Sequence, residues 1–384
     1  MFSEIYRKLI VPWLVFITLL LLTPRAAHAD GGAPNLAYIS GTAKGVTIFD
    51  VAQQKITGNI PATGDPHTIL LSTDGRFLYA AQPQNGRVSV IVAKTGETLC
   101  TASIPGQPTL LALDPGLNIL YAAGNGASSV SALDPTNCAV KHTFQTDGPV
   151  YGLAVAVVGS GISGSTGNQL WIASDDSLTI FDDLYGQRIG SVPIAGGPQY
   201  LIVPPGATVY VTTRQGSIVA VDLNNHQVIS LITGGTYGTM DYDANTGEIY
   251  VPDQQHNRII VLTPINAGFT LPHEPARMID FKASPQAVAI TSDGQLGFVA
   301  LSDGNLAMLD IPGRQLISTT FVGGKPHFII TGLYPPAIGT TPQQTSVLNS
   351  VLNVAAYVFV IVLLVVPIFL FRRYSKAHDT GVKR

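Results

Sequence analysis

Short segments of alternating hydrophobic and polar residues fill most of the chain. Residues 46–50, 130–134 and 218–222 are clear examples, and each of them ends in aspartate. An alternation with a period of two is typical of β-strands, whereas amphipathic helices repeat every three to four residues. Because no helical pattern interrupts residues 36–333, the sequence predicts an all-β domain.

A second kind of strand carries one aromatic residue and recurs seven times. Its aromatic positions are Tyr38, Tyr79, Tyr121, Trp171, Tyr210, Tyr250 and Phe298. Successive positions lie 39 to 50 residues apart, close to the period of about 40–45 residues of a four-stranded propeller blade. An Asp-Gly-like turn precedes most of these strands, as a tight hairpin demands. The sequence therefore predicts a seven-bladed β-propeller whose repeated aromatics pack between blades and do not form a ligand cage.

These repeats resemble the YVTN-repeat β-propeller family. The family's repeat runs from a Pro turn through an inner strand, an Asp-Gly turn, a Tyr-Val strand and an alternating strand that ends in Asp. The resemblance covers about 300 residues, although Trp171 and Phe298 replace the usual Tyr. It implies the architecture and no single activity, since the family includes surface-layer, scaffold, binding and a few enzymatic proteins.

The order of the strands also predicts how the propeller closes. The domain begins with the strand of Tyr38 and ends with a Pro turn followed by the strand 327–330. We expect this last strand to complete the first blade as its inner strand. A circle closed in this way leaves no blade without a neighbour.

The N-terminal end of the chain differs from the repeats. A basic start and an apolar run lead to the small-residue pattern Ala27-His28-Ala29, so residues 1–29 are predicted to be a signal peptide, with an uncleaved anchor as the alternative. The propeller would then occupy residues 30–333 on the extracytoplasmic side.

The C-terminal end predicts a membrane anchor. Residues 351–371 contain no charged residue and are long enough to cross a bilayer as a helix. The basic tail 372–384 follows, and the positive-inside rule places it in the cytoplasm. Residues 334–350, rich in Pro, Thr and Gln, are predicted to be a linker. The expected location is the cell membrane, single-pass, and a sorting signal cut during surface attachment is the alternative.

Charge and cysteine content narrow the possible partners. Residues 30–371 carry 13 basic and 22 acidic side chains, a net charge near −9, and contain no basic run. This excludes nucleic-acid binding driven by counterion release. Cys100 and Cys138 are the only cysteines. Both fall near the start of outer strands in neighbouring blades, where we expect a separation beyond the Cα limit of about 7 Å for a disulfide.

Standard catalytic and cofactor motifs are absent from the sequence. It contains no haem-attachment C-x-x-C-H, no H-E-x-x-H, no G-x-S-x-G and no Walker loop. Residues 241–248 faintly resemble a calcium loop, but Gly falls at position seven and no Glu stands at position twelve. The sequence therefore names no cofactor.

The turns that enter the inner strands should surround one mouth of the central channel. The residues after the Gly-x-Pro position are His67, Thr109, Val150, Gln199, Tyr237, Gln286 and His327. His67 and His327 share a repeat position in adjacent blades, so their imidazoles could converge as metal ligands or as a proton-transfer pair. Alternatively, each His satisfies only a turn carbonyl, because a metal site needs further ligands that the sequence does not name.

Loops between the second and third strands should reach the same face and are the second group of candidate ligand contacts. Their polar residues are Asp175, Asp176, Arg214, Gln215, Asp253, His256 and Asp303. Loops on rigid scaffolds often carry binding residues, although polar loops are also ordinary solvated surface. The two long insertions, residues 159–168 and 264–283, map to the opposite face.

The favoured function is a non-catalytic binding or scaffolding module for envelope proteins or for a small ligand. A rigid propeller presents many loops at low entropic cost. The alternative is a propeller enzyme with its site at the channel mouth, either a lactonase-like hydrolase or a metal- or quinone-dependent oxidoreductase. Since one fold supports many functions, the architecture does not decide between them.

Overall fold

The computed structural model describes residues 36–157, 168–265 and 277–335. These residues contain β-strands and a single short 3-10 turn, Pro83–Asn85. In chain order the strands are β1 (Leu36–Thr42), β2 (Gly45–Asp50), β3 (Lys55–Ile60), β4 (Ile69–Leu71), β5 (Phe77–Gln82), β6 (Arg87–Val92), β7 (Thr98–Ser103), β8 (Gln107–Asp114), β9 (Ile119–Asn125), β10 (Ser129–Leu133), β11 (Val140–Gln145), β12 (Gly152–Ala156), β13 (Gln169–Ala173), β14 (Ser177–Asp182), β15 (Arg188–Pro193), β16 (Pro198–Ile202), β17 (Thr208–Thr213), β18 (Ser217–Asp222), β19 (Val228–Thr233), β20 (Asp241–Tyr242), β21 (Ile249–Asp253), β22 (Arg258–Leu262), β23 (Arg277–Asp280), β24 (Pro285–Ile290), β25 (Leu296–Leu301), β26 (Asn305–Asp310), β27 (Gln315–Phe321) and β28 (Phe328–Gly332).

The strands form seven antiparallel sheets of four strands each. From the inner to the outer strand, blade 1 is β28-β1-β2-β3, and blades 2 to 7 are the successive groups β4–β7, β8–β11, β12–β15, β16–β19, β20–β23 and β24–β27. Neighbouring sheets touch along their inner strands, for example β24 with β28 and β28 with β4. The predicted seven-bladed β-propeller is confirmed.

Blade 1 closes the circle with the last described strand. β28 pairs antiparallel with β1, and Tyr38 lies opposite Ile330 while Leu36 lies opposite Gly332. The first three strands of the domain therefore obtain their inner neighbour from its end, as the strand order predicts. Because β1 and β28 meet at Leu36 and Gly332, both ends of the described domain lie on one face.

The core consists of separate clusters between neighbouring blades. All seven repeated aromatics are buried, namely Tyr38, Tyr79, Tyr121, Trp171, Tyr210, Tyr250 and Phe298. Trp171 of blade 4, for instance, packs in one cluster with Val209 and Val211 of blade 5. Burial of such large side chains supplies much of the hydrophobic stabilisation. This agrees with the expectation that the aromatics join blades.

A disulfide corrects our expectation for the two cysteines. Cys100 on β7 and Cys138, just before β11, are bonded with their Cα atoms 5.8 Å apart. Cys138 lies in the tight turn between β10 and β11, where it adopts φ +60° and donates its N–H to Asp134 O at 2.8 Å. This turn, which strand assignment alone does not place, brings Cys138 against the neighbouring outer strand. The bridge fastens blade 2 to blade 3.

The predicted end segments fall outside this description. In the described ranges, no helix is long and apolar enough to cross a membrane. The signal peptide 1–29, the linker beyond residue 335, the helix 351–371 and the tail 372–384 lie outside the described residues and stay predictions.

Candidate functional site

Two histidines from adjacent blades lie side by side where the chain enters the inner strands. We call this end of the propeller the mouth face. His67 precedes β4 and His327 precedes β28, and their ring centroids are 4.6 Å apart with an angle of 34° between the planes. Residue 41 faces this pair, and a side chain there would collide with His327, so Gly41 is required.

One nitrogen of the His67 ring is fixed by a neighbouring blade. Nδ1 lies 3.1 Å from the carbonyl oxygen of Thr109 in blade 3 and donates a hydrogen bond to it. Burial lowers the pKa of His67 to about 4, the charge of His327 acts in the same direction, and the Thr109 carbonyl opposes both. At neutral pH the ring is therefore uncharged. With the proton on Nδ1, the lone pair of Nε2 is left without a partner among the described residues.

His327 is held more completely than His67. Its Nδ1 lies 3.0 Å from the carbonyl oxygen of Lys325, and its Nε2 lies 3.2 Å from that of Pro66. A neutral imidazole has one N–H and donates to only one of these carbonyls, whereas an imidazolium donates to both. His327 therefore positions the mouth, and His67 supplies its unoccupied nitrogen.

A cavity of about 160 Å³ lies along the channel beside His67. Its walls come from the inner strands and are mainly apolar, with residues that include Leu111, Leu153, Leu201, Met240 and Phe328. Tyr200, Thr68 and Thr239 add polar atoms. A mainly apolar lining with a few polar groups is shared with small-ligand sites, but this cavity is smaller than their usual volume of about 300–1,000 Å³.

The structure places two predicted mouth residues elsewhere. The backbone N–H of His67 donates to Ala81 O at 2.9 Å. At the same repeat position in blades 4 and 6, the backbone N–H of Tyr151 donates to Ala173 O and that of Gly238 donates to Pro252 O. Val150 and Tyr237 stand one residue earlier and are buried in core clusters. Tyr237 lies in the core between blades 5 and 6, where burial raises its pKa to about 12, and its contact with a ligand stays a prediction. The entry turns of these two blades lack the full Gly-x-Pro spacing, so residue counting shifts the register by one.

Three other predicted mouth residues are half-buried at this face. Thr109 acts through its carbonyl, which also accepts a hydrogen bond from Thr68 Oγ1 at 2.5 Å. Gln286 Nε2 donates to Ser284 Oγ at 3.0 Å, and its Oε1 accepts from Gln254 at 3.2 Å. Gln199 lies on β16 of blade 5 and is also half-buried. These amides form a polar rim.

Sequence reasoning did not foresee the cation–π pair of Arg214 and Tyr151. The Arg214 guanidinium lies 4.2 Å from the centre of the Tyr151 ring and donates to the carbonyl oxygen of Asp175. Arg214 was a predicted contact residue and Tyr151 was not, because of the register shift in blade 4. Asp176, also predicted, is exposed next to it.

Asp253 is a structural residue and does not face solvent. It is 1% exposed, and its carboxylate accepts hydrogen bonds from His256 Nδ1 at 2.8 Å and Arg258 Nε at 3.0 Å. Gln82, at the same place in blade 2, accepts from Arg87 and Ser89. This repeat position therefore anchors the following turn. Asp253 is buried and His256 is exposed, and the contact of either residue with a ligand stays a prediction.

The two adjacent histidines, His67 and His327, supply only part of the ligand set that a metal centre needs. Within the described ranges, no group of three or more His, Cys, Asp or Glu side chains is arranged to hold a metal ion. The faint calcium loop is an ordinary turn, because Asp243 accepts from Asn245 N and Thr246 Oγ1. A metal bound by His67 and His327 therefore stays a prediction.

The sequence matches no protein-family model and no curated protein. Solved structures show the same fold. A candidate 6-phosphogluconolactonase from Bacteroides fragilis superposes with a TM-score of 0.62 at 15% identity, covering 77% of this chain and 97% of its own. The propeller domain of Myceliophteria thermophila Cps50 (Swd1) gives 0.58 at 15%, with 70% and 89% covered. The dihydro-heme d1 dehydrogenase NirN, in complex with DHE, gives 0.56 at 16%, with 77% and 74% covered. These likenesses show the fold alone.

Proposed function

We propose that this chain is a membrane-anchored, extracytoplasmic propeller of the YVTN-repeat type that binds a ligand at its mouth face. The observation that carries the proposal is the His67–His327 pair beside the apolar cavity. His67 directs an unoccupied nitrogen lone pair at this face, and both rings are held by backbone carbonyls. A site fixed in advance loses little conformational entropy on binding.

The ligand would meet three kinds of group. The cavity would take an apolar portion, His67 Nε2 would accept a hydrogen bond or coordinate a metal, and the amides of Gln254 and Gln286 would form the rim. Arg214, exposed on its tyrosine, offers a positive charge at the same face. A small molecule with an apolar body and a polar or anionic edge fits this combination, and an envelope protein could present such a group.

Export is part of the same proposal. The disulfide between Cys100 and Cys138 supports an oxidising compartment, since such bonds persist outside the cytoplasm. With it go the predicted signal peptide 1–29 and the predicted transmembrane helix 351–371. The mass of the mature protein tests this: loss of residues 1–29 with the C-terminus intact supports permanent anchoring, and a shortened C-terminus contradicts it.

The binding proposal is tested on the full chain purified from its own membranes. Metal content, absorption spectrum and native mass reveal a bound molecule in the wild type. We expect His67→Gln to lose it, while the matched variant His142→Gln, an exposed histidine on β11, retains it. A wild-type protein with no bound molecule, and with the same cross-linked envelope partners in both variants, contradicts a mouth-face site.

A second candidate function is catalysis by the same histidine. A neutral imidazole with a free Nε2 is suited to act as a general base, and two of the structures that share the fold are described as enzymes. Lactone hydrolysis by the full chain, lost in His67→Gln and retained in His142→Gln, would support this alternative. Ligand binding without turnover of any lactone supports the binding module.

A further inference from the structure

Three polar side chains meet between blades 3 and 4, at the end of the propeller opposite the mouth face. Asp114 ends β8, Tyr121 lies on β9 and Asp183 follows β14. Asp114 and Tyr121 are fully buried, and Asp183 is 6% exposed. Asp114 and Asp183 both contact Asn168, because Asp114 Oδ1 accepts from Asn168 Nδ2 at 2.9 Å and the backbone N–H of Asp183 donates to Asn168 O at 3.1 Å. We call these three residues the acid cluster.

A comparison of blades shows that Asp183 replaces an apolar core residue. The residue after the third strand donates its N–H to the carbonyl just before the second strand, as Asp183 does to Asn168 at 3.1 Å. The corresponding donors in blades 2, 5 and 7 are Ala93, Leu223 and Ile311. All three of these are buried hydrophobic residues. An acid at such a position costs folding free energy unless a proton, a partner or a ligand neutralises its charge.

Four oxygen atoms of the acid cluster have no hydrogen-bond partner in the described structure. They are Asp114 Oδ2, Asp183 Oδ1, Asp183 Oδ2 and the Tyr121 hydroxyl. The other Asp114 oxygen is satisfied by Gly116 N at 2.7 Å and Asn168 Nδ2 at 2.9 Å. Burial raises the pKa of Tyr121, and the charges of Asp183 and Asp114 act in the same direction.

Tyr121 differs from the tyrosines at the same repeat position in other blades. The hydroxyl of Tyr210, in blade 5, accepts a hydrogen bond from Ile265 N at 2.7 Å. Tyr38 also lacks a partner, and burial raises its pKa. Tyr121 differs from both because its hydroxyl lacks a partner and the charges of Asp114 and Asp183 also raise its pKa.

A shared proton does not satisfy this group of atoms. One O–H···O bond between the carboxyl groups would use two of the four oxygens and leave an Asp183 oxygen and the Tyr121 hydroxyl buried without partners. Asp182 adds another negative charge that acts on Asp183. In the residues the structure describes, no Lys, Arg or His side chain pairs with Asp114 or Asp183.

We propose that Asp114, Asp183 and Tyr121 form a buried binding site for a divalent cation of the calcium type. Such a cation would take these four oxygens among the about six to eight that calcium binds, and its charge would balance two carboxylates. Calcium accepts carboxylates in one- or two-oxygen contact and tolerates irregular geometry, whereas magnesium demands an octahedron and retains its waters. Binding displaces the shared proton. This site is separate from the mouth face and does not depend on the function proposed there.

The site is tested with the full-length protein after treatment with a chelator. Terbium replaces calcium in oxygen-ligand sites and emits when a nearby tyrosine is excited, so Tyr121 serves as an internal donor. We expect Tb³⁺ emission from the wild type that Ca²⁺ displaces and Mg²⁺ does not. We also expect Ca²⁺ to raise the melting temperature, because it binds the folded state.

The variants separate this site from other acids. Asp183→Asn and Asp183→Leu should both abolish the emission and the calcium-dependent rise in melting temperature. Asp243→Asn is the matched control, since Asp243 directly follows the inner strand β20 and is buried, but its carboxylate accepts hydrogen bonds from Asn245 N and Thr246 Oγ1. It should keep both signals. A wild type without Tb³⁺ emission, or emission that persists in both Asp183 variants, overturns the proposal and leaves the carboxyl pair as a proton-sharing pair.

Discussion

The mouth face and the acid cluster hold polar groups in opposite ways. At the mouth, His67 and His327 are half-buried, and three of their four ring nitrogens face backbone carbonyls. In the acid cluster, Asp114, Asp183 and Tyr121 are buried and leave four oxygens unpartnered. The histidine rings are held by backbone carbonyls, whereas four buried oxygens of the acid cluster have no hydrogen-bond partner in the described residues.

The difference follows from how each site arises in the repeat. The histidines stand in entry turns, where every blade already exposes backbone groups, so a polar residue adds little cost. Asp183 stands where blades 2, 5 and 7 place Ala93, Leu223 and Ile311. In a repeat protein, a polar residue at a turn is common, whereas a polar residue at a core position indicates a specific role for that residue.

The largest effect is expected from removing the strand that closes the circle. A chain that ends at Gly324 lacks His327 and β28, while the acid cluster is intact in sequence. Since blade 1 loses its inner strand, we expect destabilisation of more than about 5 kcal/mol, comparable to the whole stability of a domain. Thermal melting against a chain that ends at Thr345 measures this. Equal melting of the two chains would show that the blades are independent.

A smaller effect of opposite sign is expected from Asp183→Leu in the presence of a chelator. The variant restores the apolar residue type of other blades, so the folded protein should gain about 1–3 kcal/mol. Asp243→Leu is the contrast, because it removes an acid that holds a turn and should destabilise. Urea unfolding of both variants provides the measurement, and a destabilised Asp183→Leu would show that the acid cluster needs no cation.

The pH dependence of stability should also separate wild type from Asp183→Leu in chelator. Burial, contact with Asp114 and the charges of Asp114 and Asp182 raise the pKa of Asp183 to about 8 from 3.8. A raised pKa gives stability that is complete below about pH 4 and is lost as the pH rises towards 8. The loss is at most about 1.4 kcal/mol per pH unit. Urea midpoints at successive pH values should fall for the wild type and vary less for the variant.

The smallest effect is expected at the mouth, with the opposite sign. The pKa of His67 is lowered to about 4, so its contribution to stability is present above about pH 6.5 and is lost as the pH falls towards 4. Because the ring is half-buried, the change is well below about 1.4 kcal/mol per unit. His67→Gln should remove this acid sensitivity. An unchanged acid limb of the stability curve would mean that the ring is solvated.

The sequence predicts features that depend on one repeat position at a time. The aromatic period gives seven blades, the phase of the first strand gives the closure by β28, and the shared position of His67 and His327 gives their proximity. Errors arise where the spacing of a turn changes. The absence of the middle Gly-x-Pro residue in blade 4 hides Tyr151, and a turn without proline in blade 6 misplaces Tyr237.

Other features depend on contacts between blades, which the repeat does not encode. The Cys100–Cys138 bridge requires a turn with positive φ at Cys138 to face the next blade. The acid cluster requires Asp114 and Asp183 to meet across a blade boundary. A signal for Asp183 was nevertheless present, because aligning the residues after the third strands gives Ala93, Leu223 and Ile311 beside a single acid.

The pairing of β1 with β28 also sets an order of events for a chain that emerges from its N-terminus. The first three strands of blade 1 lie nearly 300 residues before their inner neighbour in the sequence. Until the rest of the propeller has been synthesised, β1 has no inner neighbour to pair with. Contacts between residues so distant in sequence form slowly. The Cys100–Cys138 loop spans only 38 residues. Blades 2 and 3 can therefore be linked covalently while blade 1 still lacks its inner strand.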